Sequence, residues 1–534
     1  MSLVKAITVI FSLLLFFSCQ KPDSKYVSVD DDSFLLQGKE FFPLMLNYIV
    51  HFRDIDGEKV LSPTFEYDSL NQFDSFSKEE VYDRLNTHFK LIAKMGFNSI
   101  RLVSLNHINY EKHYPDAALS FYDLKGKEHF FNLNVNLERV ISEINKVVQI
   151  AKSNGLRTML LFPRARKQEQ YDYNRKIYIK TILKAFKEEE YVFAYDFFNE
   201  PLYFDNSEFK NFYDNQRRKE NVYKLVDSWA TMMREYAPKQ LFTIGYAEPL
   251  EVFEWDPTLL PVDFVTFHTY NPLRVPNEIY WYAKNVDKPW MIGETSLPAD
   301  NDSISYEEQA VFMKDALQRT LNCGGAGFGW WQFQDVLWGP FEHNYTSLVD
   351  HQGITVLEGG DTIFGTVKEA GKVLPEFPLK KNGDCDCWVN YYNILGYKNY
   401  VIKGKVLDAS GKPVKDAVIR GWNKSWRIGA NTFSKEDGKF KLYSNTEFVN
   451  FEISAPGKNT SKFYLELEYK PKDSSLELNL EDESLEYHDI HYKWFLKNPV
   501  TPESTFDFKE DLFDNYKLES TMTPVYLSNV NLEN

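Results

Sequence analysis

From about residue 34 to residue 375 short apolar runs alternate with amphipathic stretches, and this alternation restricts the fold more than any other feature. Eight runs read as strands, at residues 42–47, 98–103, 156–162, 192–198, 241–246, 263–270, 290–294 and 326–333. Helical periodicity falls between them, for example over 78–95, 137–154, 306–321 and 364–374. In the first of these Leu85, Phe89, Ile92 and Ala93 recur at about one apolar residue per turn, enough to bury one face against a sheet. Strands alternating with helices make a parallel sheet, and eight of them over this length predict a closed (β/α)8 barrel with insertions. The longest loops are expected after the first, second and eighth strands, over 49–77, 104–136 and 334–361. Active sites of such barrels lie on that side.

Two of the runs end in glutamate. Tyr191-Val-Phe-Ala-Tyr-Asp-Phe-Phe is followed by Asn199-Glu200-Pro201, and Pro289-Trp-Met-Ile-Gly ends in Glu294. These belong to the fourth and seventh strands, which can face each other across the mouth of an eight-stranded barrel. Two carboxyl groups so placed can cleave a glycosidic bond, one as proton donor and then base, the other as nucleophile. Asn106, His107, Arg164, Arg166, Trp338 and His343 stand on loops of the same side and are candidate substrate contacts.

Charge and composition narrow the partners. With 61 Lys and Arg against 77 Asp and Glu, the formal net charge of -16 argues against nucleic acid or an anionic membrane surface as the main partner. Neutral ligands such as sugars fit better. Tyr and Phe are abundant, and most must serve core packing. Nothing in the sequence asks for a metal or an organic cofactor. Of four cysteines, Cys385 and Cys387 form a lone C-x-C without further ligands at metal-binding spacing, so a structural use is expected.

The chain divides by composition. Residues 1–19 have a lysine, an apolar run too short to span a bilayer, and Ser18-Cys19, the layout of a lipoprotein-type signal with Cys19 as the lipidation site. A plain secretory signal is the alternative. The expected localisation is export with a lipid anchor at a bacterial outer membrane or cell surface. Residues 20–33, with Asp30-Asp31-Asp32, read as a solvated tether, 34–380 as the barrel and 381–399 as a linker. Short alternating runs over 400–485 predict an all-β sandwich, and 486–534 is a Tyr- and Phe-rich tail expected to pack on a domain.

In order along the chain, Arg101 in Asn98-Ser-Ile-Arg-Leu102, Asn199-Glu200-Pro201, His268 and Tyr270 in Phe267-His-Thr-Tyr270, Glu294 in Ile292-Gly-Glu294 and Trp331 in Gly329-Trp-Trp-Gln332 resemble clan A of the glycoside hydrolases, most nearly its cellulase-like family 5. The resemblance covers residues 34–375. It implies Glu200 as acid/base and Glu294 as nucleophile of a retaining β-glycoside hydrolase acting on a glucan, mannan or related β-linked glycan. Arg101, Asn199, His268, Tyr270 and Trp331 would bind substrate or hold the glutamates, Arg101 by favouring the charged form of Glu294. Structural uses compete for several of them: an ion pair for Arg101, a core position for His268, packing for Tyr270. Trp330 is expected in the core, since neighbours on a strand point to opposite faces. Gly404-Lys-Val-Leu-Asp-Ala-Ser-Gly-Lys-Pro-Val-Lys-Asp-Ala417 with Asp437-Gly438-Lys-Phe440 resembles the non-catalytic carboxypeptidase regulatory-like domain. A non-catalytic surface glycan-binding lipoprotein on a degenerate barrel, and a transglycosylase using the same residues, are the alternative functions.

Overall fold

The computed structural model describes residues 24–63, 77–104, 108–109, 118–122, 128–163, 168–204, 219–335, 345–385, 391–394, 400–423, 426, 429–444, 448, 450–464 and 514–522. Eight parallel strands close into a barrel: β1 (Leu44–Ile55), β2 (Ser99–Ser104), β3 (Arg157–Leu161), β4 (Val192–Asn199), β5 (Leu241–Tyr246), β6 (Val265–His268), β7 (Trp290–Glu294) and β8 (Gly327–Trp330). Each pairs with the next, and β8 returns to β1 through Gly329 opposite Met45 and Trp330 opposite Leu46. Helices α1 (Lys78–Lys94), α2 (Leu133–Ser153), α3 (Gln168–Phe186), α4 (Lys219–Tyr236), α5 (Val275–Asn285) and α6 (Tyr306–Asn322) lie between strands in the chain. Both α1 and α6 start at a serine whose side chain accepts from the backbone N–H of a glutamate three residues on, while that glutamate accepts from the serine N–H. Two of the helix's unpaired donors are satisfied in this way. Among the described residues no helix is long and apolar enough to cross a membrane.

The floor of the barrel is closed by the segment expected to be a tether. Ser28–Asp30 and Ser33–Leu36 form a hairpin, with the exposed acids Asp30, Asp31 and Asp32 at and beside its turn. Val27 and Phe34 on its inner side are buried with Met45, Met159, Ala194, Phe264 and Met291, so apolar contact outweighs the acidic turn. Residues 1–23, with Cys19, lie outside the described part.

Two other expectations change. The region 49–77 is not all loop: β1 runs on to Ile55, and Asp56-Gly57, both with positive φ, turn it into the antiparallel strand Glu58–Pro63. Asp-Gly is a preferred two-residue hairpin turn for that conformation. The region 104–136 likewise contributes Ala118–Tyr122 and Glu128–Asn132 to an extension of the same sheet. Residues 364–374 are not an α-helix. Phe364 ends a strand, and two single 3₁₀ turns follow at Glu369–Lys372 and Leu374–Glu376. Gly365 has φ +95 and packs where a Cβ would lie 2.1 Å from the carbonyl of Asp350, and Pro375 cannot extend a helix.

Beyond the barrel, β9 (Tyr400–Asp408), β12 (Lys439–Ser444) and β15 (Asp514–Met522) make one sheet. A second contains β10 (Val418–Trp422), β11 (Gly429–Phe433), β13 (Asn450–Ser454) and β14 (Ser461–Tyr464). Ile402, Val406, Ile419, Phe440, Leu442, Phe451 and Ile453 form their shared core. The tail thus supplies a strand, parallel to β9. This unit is hydrogen-bonded to the barrel: Trp281 Nε1 donates to the carbonyl of Asp416 at 3.0 Å, and the buried Lys219 ammonium bridges Asp256 at 2.7 Å and the carbonyl of Ala455 at 3.0 Å.

Cys323, just past α6, is joined to Cys385 in the segment leaving the barrel, across 62 residues of chain. Cys387 lies outside the described residues. Closing a loop of that length restricts the unfolded chain, so Cys323→Ser is expected to cost about 2–4 kcal/mol. A lower denaturation midpoint than the parent's under oxidising conditions, and equal midpoints in excess reductant, check this.

Candidate active site

The barrel mouth is organised by one buried arginine. Arg101, on β2, is fully buried and donates through all its N–H groups. Nε and Nη2 reach Asp196 Oδ2 at 3.0 and 2.7 Å, Nη2 also reaches Asn199 Oδ1 at 2.8 Å, and Nη1 reaches Asn47 Oδ1 at 3.0 Å and Glu294 Oε1. A guanidinium has five donors and no acceptor, so this set satisfies it completely. Burying a charge costs several kcal/mol unless it is paired in this way. The network continues outward. Asn47 Nδ2 donates to the carbonyls of Gly293 and Trp330, at 3.0 and 2.9 Å, and Asp196 Oδ1 accepts from the backbone N–H of Gly245 at 2.9 Å. Strands β1, β2, β4, β5, β7 and β8 are thereby linked through side chains at one level of the barrel.

Above this layer stand the two glutamates. Glu200 follows β4 in a left-handed conformation, φ +47, which few non-glycine residues adopt. Its N–H donates to the carbonyl of Gly245 at 2.6 Å and its carbonyl accepts from Tyr203 N at 2.9 Å, so both sides of the residue are held. Its side chain keeps 18% of its surface open, against 5% for Glu294. Burial pushes the Glu200 carboxyl up to about 7; the Arg101 charge works against this, and Glu248 and Asp196 add to it. Glu294 accepts from Arg101 on one oxygen and from the Tyr270 hydroxyl on the other.

His268, ending β6 in register with Glu294, lies between the pair. Its Nδ1 is 2.9 Å from Glu200 Oε1 and 3.6 Å from Glu294 Oε2. Burial lowers its pKa to about 4, the Glu294 charge opposing and Arg101 assisting, so the ring is neutral near pH 7. The ring has room because Gly245 and Gly293 flank it: a Cβ on either would come within 2.9 or 3.1 Å of Nε2. Tyr270, its hydroxyl held far above the usual range first by burial and then by Glu294, stays a donor. Trp331 is buried with Ile49 and Val103, with Tyr270 against it, at the mouth. Trp330 is fully buried and its Nε1 donates to the carbonyl of Thr346 at 3.1 Å.

The structure therefore brings together Arg101, Asn199, Glu200, His268, Tyr270, Glu294 and Trp331. Asn106, His107, Arg164, Arg166, Trp338 and His343 lie outside the described residues. Sequence reading missed Asn47 and Asp196. Asp196 had a signal, an acid in the middle of an apolar strand, which demands a buried counter-charge. It also missed a second cluster beside Glu200, in which Arg274 pairs with Glu248 and with Glu278, Tyr203 donates to Glu248, and the Trp426 ring lies 6.3 Å from that of Tyr203.

One donor atom each from Glu200, His268 and Glu294 lie within 4.8 Å of one another, a spacing that a cation could bridge. Arg101 already places a fixed positive charge on Glu294, which opposes a second one there. The set fits proton and nucleophile chemistry better than metal binding.

Replacing Asp196 by Asn leaves the Arg101 charge without its main partner. Breaking a buried pair costs about 3–5 kcal/mol, so Asp196→Asn should lower thermal and chemical stability accordingly. A loss under about 1 kcal/mol would show that Asp196 is not the principal counter-ion, since that is the scale of exposed pairs.

Residues 54–334, more than half of the 534-residue chain, match the family model for cellulase, glycosyl hydrolase family 5. Among solved structures the chain is similar to a GH5_18 protein from Streptomyces cattleya in complex with GlcNAc, at 13% identity and TM-score 0.45 over 65% of this chain and 80% of that one. It is also similar to the endo-1,4-beta-mannanase from Rhizomucor miehei, at 14% identity and TM-score 0.39 over 58% and 90%. A third is Bacteroides uniformis beta-glucuronidase 2, at 12% identity and TM-score 0.44 over 82% and 47%. No curated protein matches the chain in sequence. By the family match along its barrel, this chain belongs to glycosyl hydrolase family 5 and is a glycoside hydrolase.

Proposed function

We propose that the chain hydrolyses a β-linked glycan with retention, by double displacement. The observation that carries this reading is the closeness of the two carboxyl groups, each with an oxygen within 4.8 Å of the other and of His268. Retaining enzymes hold their carboxyls roughly 5–5.5 Å apart, whereas inverting ones leave room for a water at about 6.5–9.5 Å. Glu294, oriented by Arg101 and Tyr270, attacks the anomeric carbon. Glu200 protonates the leaving oxygen, then takes a proton from the water that opens the glycosyl-enzyme. A neutral His268 donating from Nδ1 to Glu200 Oε1 would leave the carboxyl proton on the other oxygen, and only a lone pair on the buried Nε2 between the two glycines.

Asn199 fits a role at the sugar. Its oxygen faces Arg101, which can only donate, so its amide N–H₂ is left to reach a hydroxyl of the sugar bound at the nucleophile. Trp331 would form the floor beneath that sugar. A glucan, mannan or related β-glycan remains the substrate class we favour, from the order of these residues along the chain.

Export with lipidation at Cys19 is our reading of the amino terminus, and the Cys323–Cys385 disulfide fits an oxidising compartment. We read the C-terminal sheets as a carboxypeptidase regulatory-like module without catalytic residues.

Glu294→Ala should abolish hydrolysis of a β-glycan panel without loss of fold by circular dichroism; activity at the parental rate would remove the nucleophile assignment. Glu200→Ala should retain turnover of aryl glycosides with good leaving groups while losing that of natural glycosides, because only the latter need protonation. The anomer formed first, followed by NMR, should keep the substrate's configuration. An inverted product would overturn the mechanism.

The pH dependence follows from Glu200. It must carry its proton at the start of the reaction, and its carboxyl titrates at about 7. The value of kcat/KM should therefore fall as pH rises through about 7. Glu200→Gln should lack that basic limb in its residual turnover of activated substrates.

A further inference from the structure

Two chain segments leave the barrel mouth side by side, one after β4 and one after β5, and Glu200 depends on both. Its N–H donates to the carbonyl of Gly245 on β5, which ties the segments at their base. Two residues further along each, Leu202 and Ala247 are buried and donate their backbone N–H groups to one carboxyl group, that of Glu251. Ala247 N reaches Oε1 at 3.1 Å, and Leu202 N is shared between Oε1 at 3.3 Å and Oε2 at 3.1 Å.

Glu251 lies in the 3₁₀ turn Pro249–Phe253 that follows β5, and it is fully buried. Among the described residues no cation pairs with it. Burial holds its carboxyl well above the usual range; the N–H groups of Ala247 and Leu202 work against this, and the Glu200 charge adds to it. A buried carboxyl without a counter-ion is costly, and an apolar side chain of the same size would avoid that cost. The same replacement would strand two buried N–H groups. What the carboxyl ties together is therefore the reason to have it there. Its bond to Ala247 is local, whereas its bond to Leu202 spans 49 residues of chain and joins the β5 segment to the β4 segment.

That join matters because of the backbone at Glu200. A non-glycine residue at φ +47 keeps that conformation only where its surroundings over-determine it. Pro201, next in the chain, has no N–H, and the N–H of Tyr203 is used within the turn, on the carbonyl of Glu200. Leu202 thus carries the first donor after Glu200 that another segment can hold. His268 constrains the Glu200 carboxyl at its tip, and the bond from Leu202 constrains the chain at its root.

We propose that Glu251 is a positioning residue for the acid/base: by holding Leu202 to the β5 segment it fixes the turn at Glu200 and the direction in which that carboxyl points. The proposal rests on the reading of Glu200 as acid/base. A general acid must come within about 2.6–3.2 Å of the oxygen it protonates, and a misplacement of about 1 Å can cost on the order of a hundredfold in rate.

The test compares the full-length parent with Glu251→Met, Glu251→Asp and Glu251→Gln. Methionine keeps the size and loses the acceptors, aspartate keeps the carboxyl and falls one methylene short, and glutamine keeps a carbonyl oxygen where Oε1 reaches both N–H groups. Values of kcat/KM are read for phenyl and dinitrophenyl β-glycosides, as glucosides, mannosides and their disaccharide homologues. The phenolate needs a proton to leave and the dinitrophenolate does not. Relative to the dinitrophenyl substrate, the phenyl substrate should lose about tenfold or more in the methionine and aspartate variants and return to within about threefold of the parent in the glutamine variant. Hydrogen exchange read at the single Leu202 N–H should be slow in the parent and faster in the first two variants. Equal losses on both substrates in folded variants, as a purely structural role would give, or no loss on either, would overturn the proposal. Exchange of the parent's Leu202 N–H as fast as that of an exposed loop would overturn it even if no variant folded. Absence of leaving-group selectivity in Glu200→Ala strikes the acid/base assignment instead, whereas selectivity there with none in the Glu251 variants strikes the positioning role alone.

Discussion

The barrel mouth depends on a single buried guanidinium. Arg101 sits where desolvation would be prohibitive for an unpaired ion, and the chain surrounds it with two carboxylates and two amide oxygens from three other strands. Because each of its donors points in a fixed direction, the partners must arrive at fixed places. Asn47 in turn holds the ends of β7 and β8, and Asp196 holds β5. The charge is thus a registration device as well as an ion: a one-residue slip of any of these strands would turn its polar side chain away from Arg101.

That arrangement divides the barrel into two halves of different character. Below it Met45, Met159, Ala194 and Met291 pack with the hairpin residues Val27 and Phe34, an apolar plug that tolerates small shifts. Above it stand polar groups, the two glutamates among them. Glu294 receives a hydrogen bond on each oxygen, from Arg101 and from Tyr270, whereas Glu200 has a neutral imidazole on one oxygen and an open face on the other. The two carboxyls are alike in chemistry and differ in surroundings. Their surroundings are what can assign them different roles.

The eight strands were legible because each is a short apolar run bounded by turn residues, and 241–246 and 290–294 coincide with β5 and β7 to the residue. The glutamates were legible because a charged residue ending such a run has few structural uses. What was hidden had tertiary causes. Asp196 and Asn47 look like isolated polar residues until the barrel closes and sets them around Arg101. The extension of β1 carried a local sign, Asp56-Gly57, but residues 49–55 alone do not show that they outlast the barrel. Residues 364–374 have helical composition, and Gly365 is excluded from a helix by its close approach to Asp350, a contact 15 residues away in the chain. The C-terminal tail was unreadable because its strand pairs with β9 from more than 100 residues away.

The same logic applies to the contact between barrel and C-terminal sheets. Lys219 is buried with Asp256 of the barrel and with the carbonyl of Ala455, and Gly457 donates its N–H to Asp256 at 2.9 Å. The ion pair itself belongs to the barrel, and the C-terminal sheets complete it with one backbone acceptor for the ammonium and one backbone donor for the carboxylate. Trp426 approaches Tyr203 one turn past Glu200, and Arg274 reaches from α5's start to Glu248 and Glu278. The sheets therefore meet the barrel beside Glu200, through the contact of Trp426 with Tyr203. A change in how they dock would be transmitted first to the short helix Pro201–Phe204 carrying Tyr203, whose N–H donates to the carbonyl of Glu200. On this geometry the C-terminal unit packs on the turn of chain that follows Glu200, and an account of it as a mere spacer would leave the Lys219 to Ala455 hydrogen bond and the approach of Trp426 to Tyr203 without a cause.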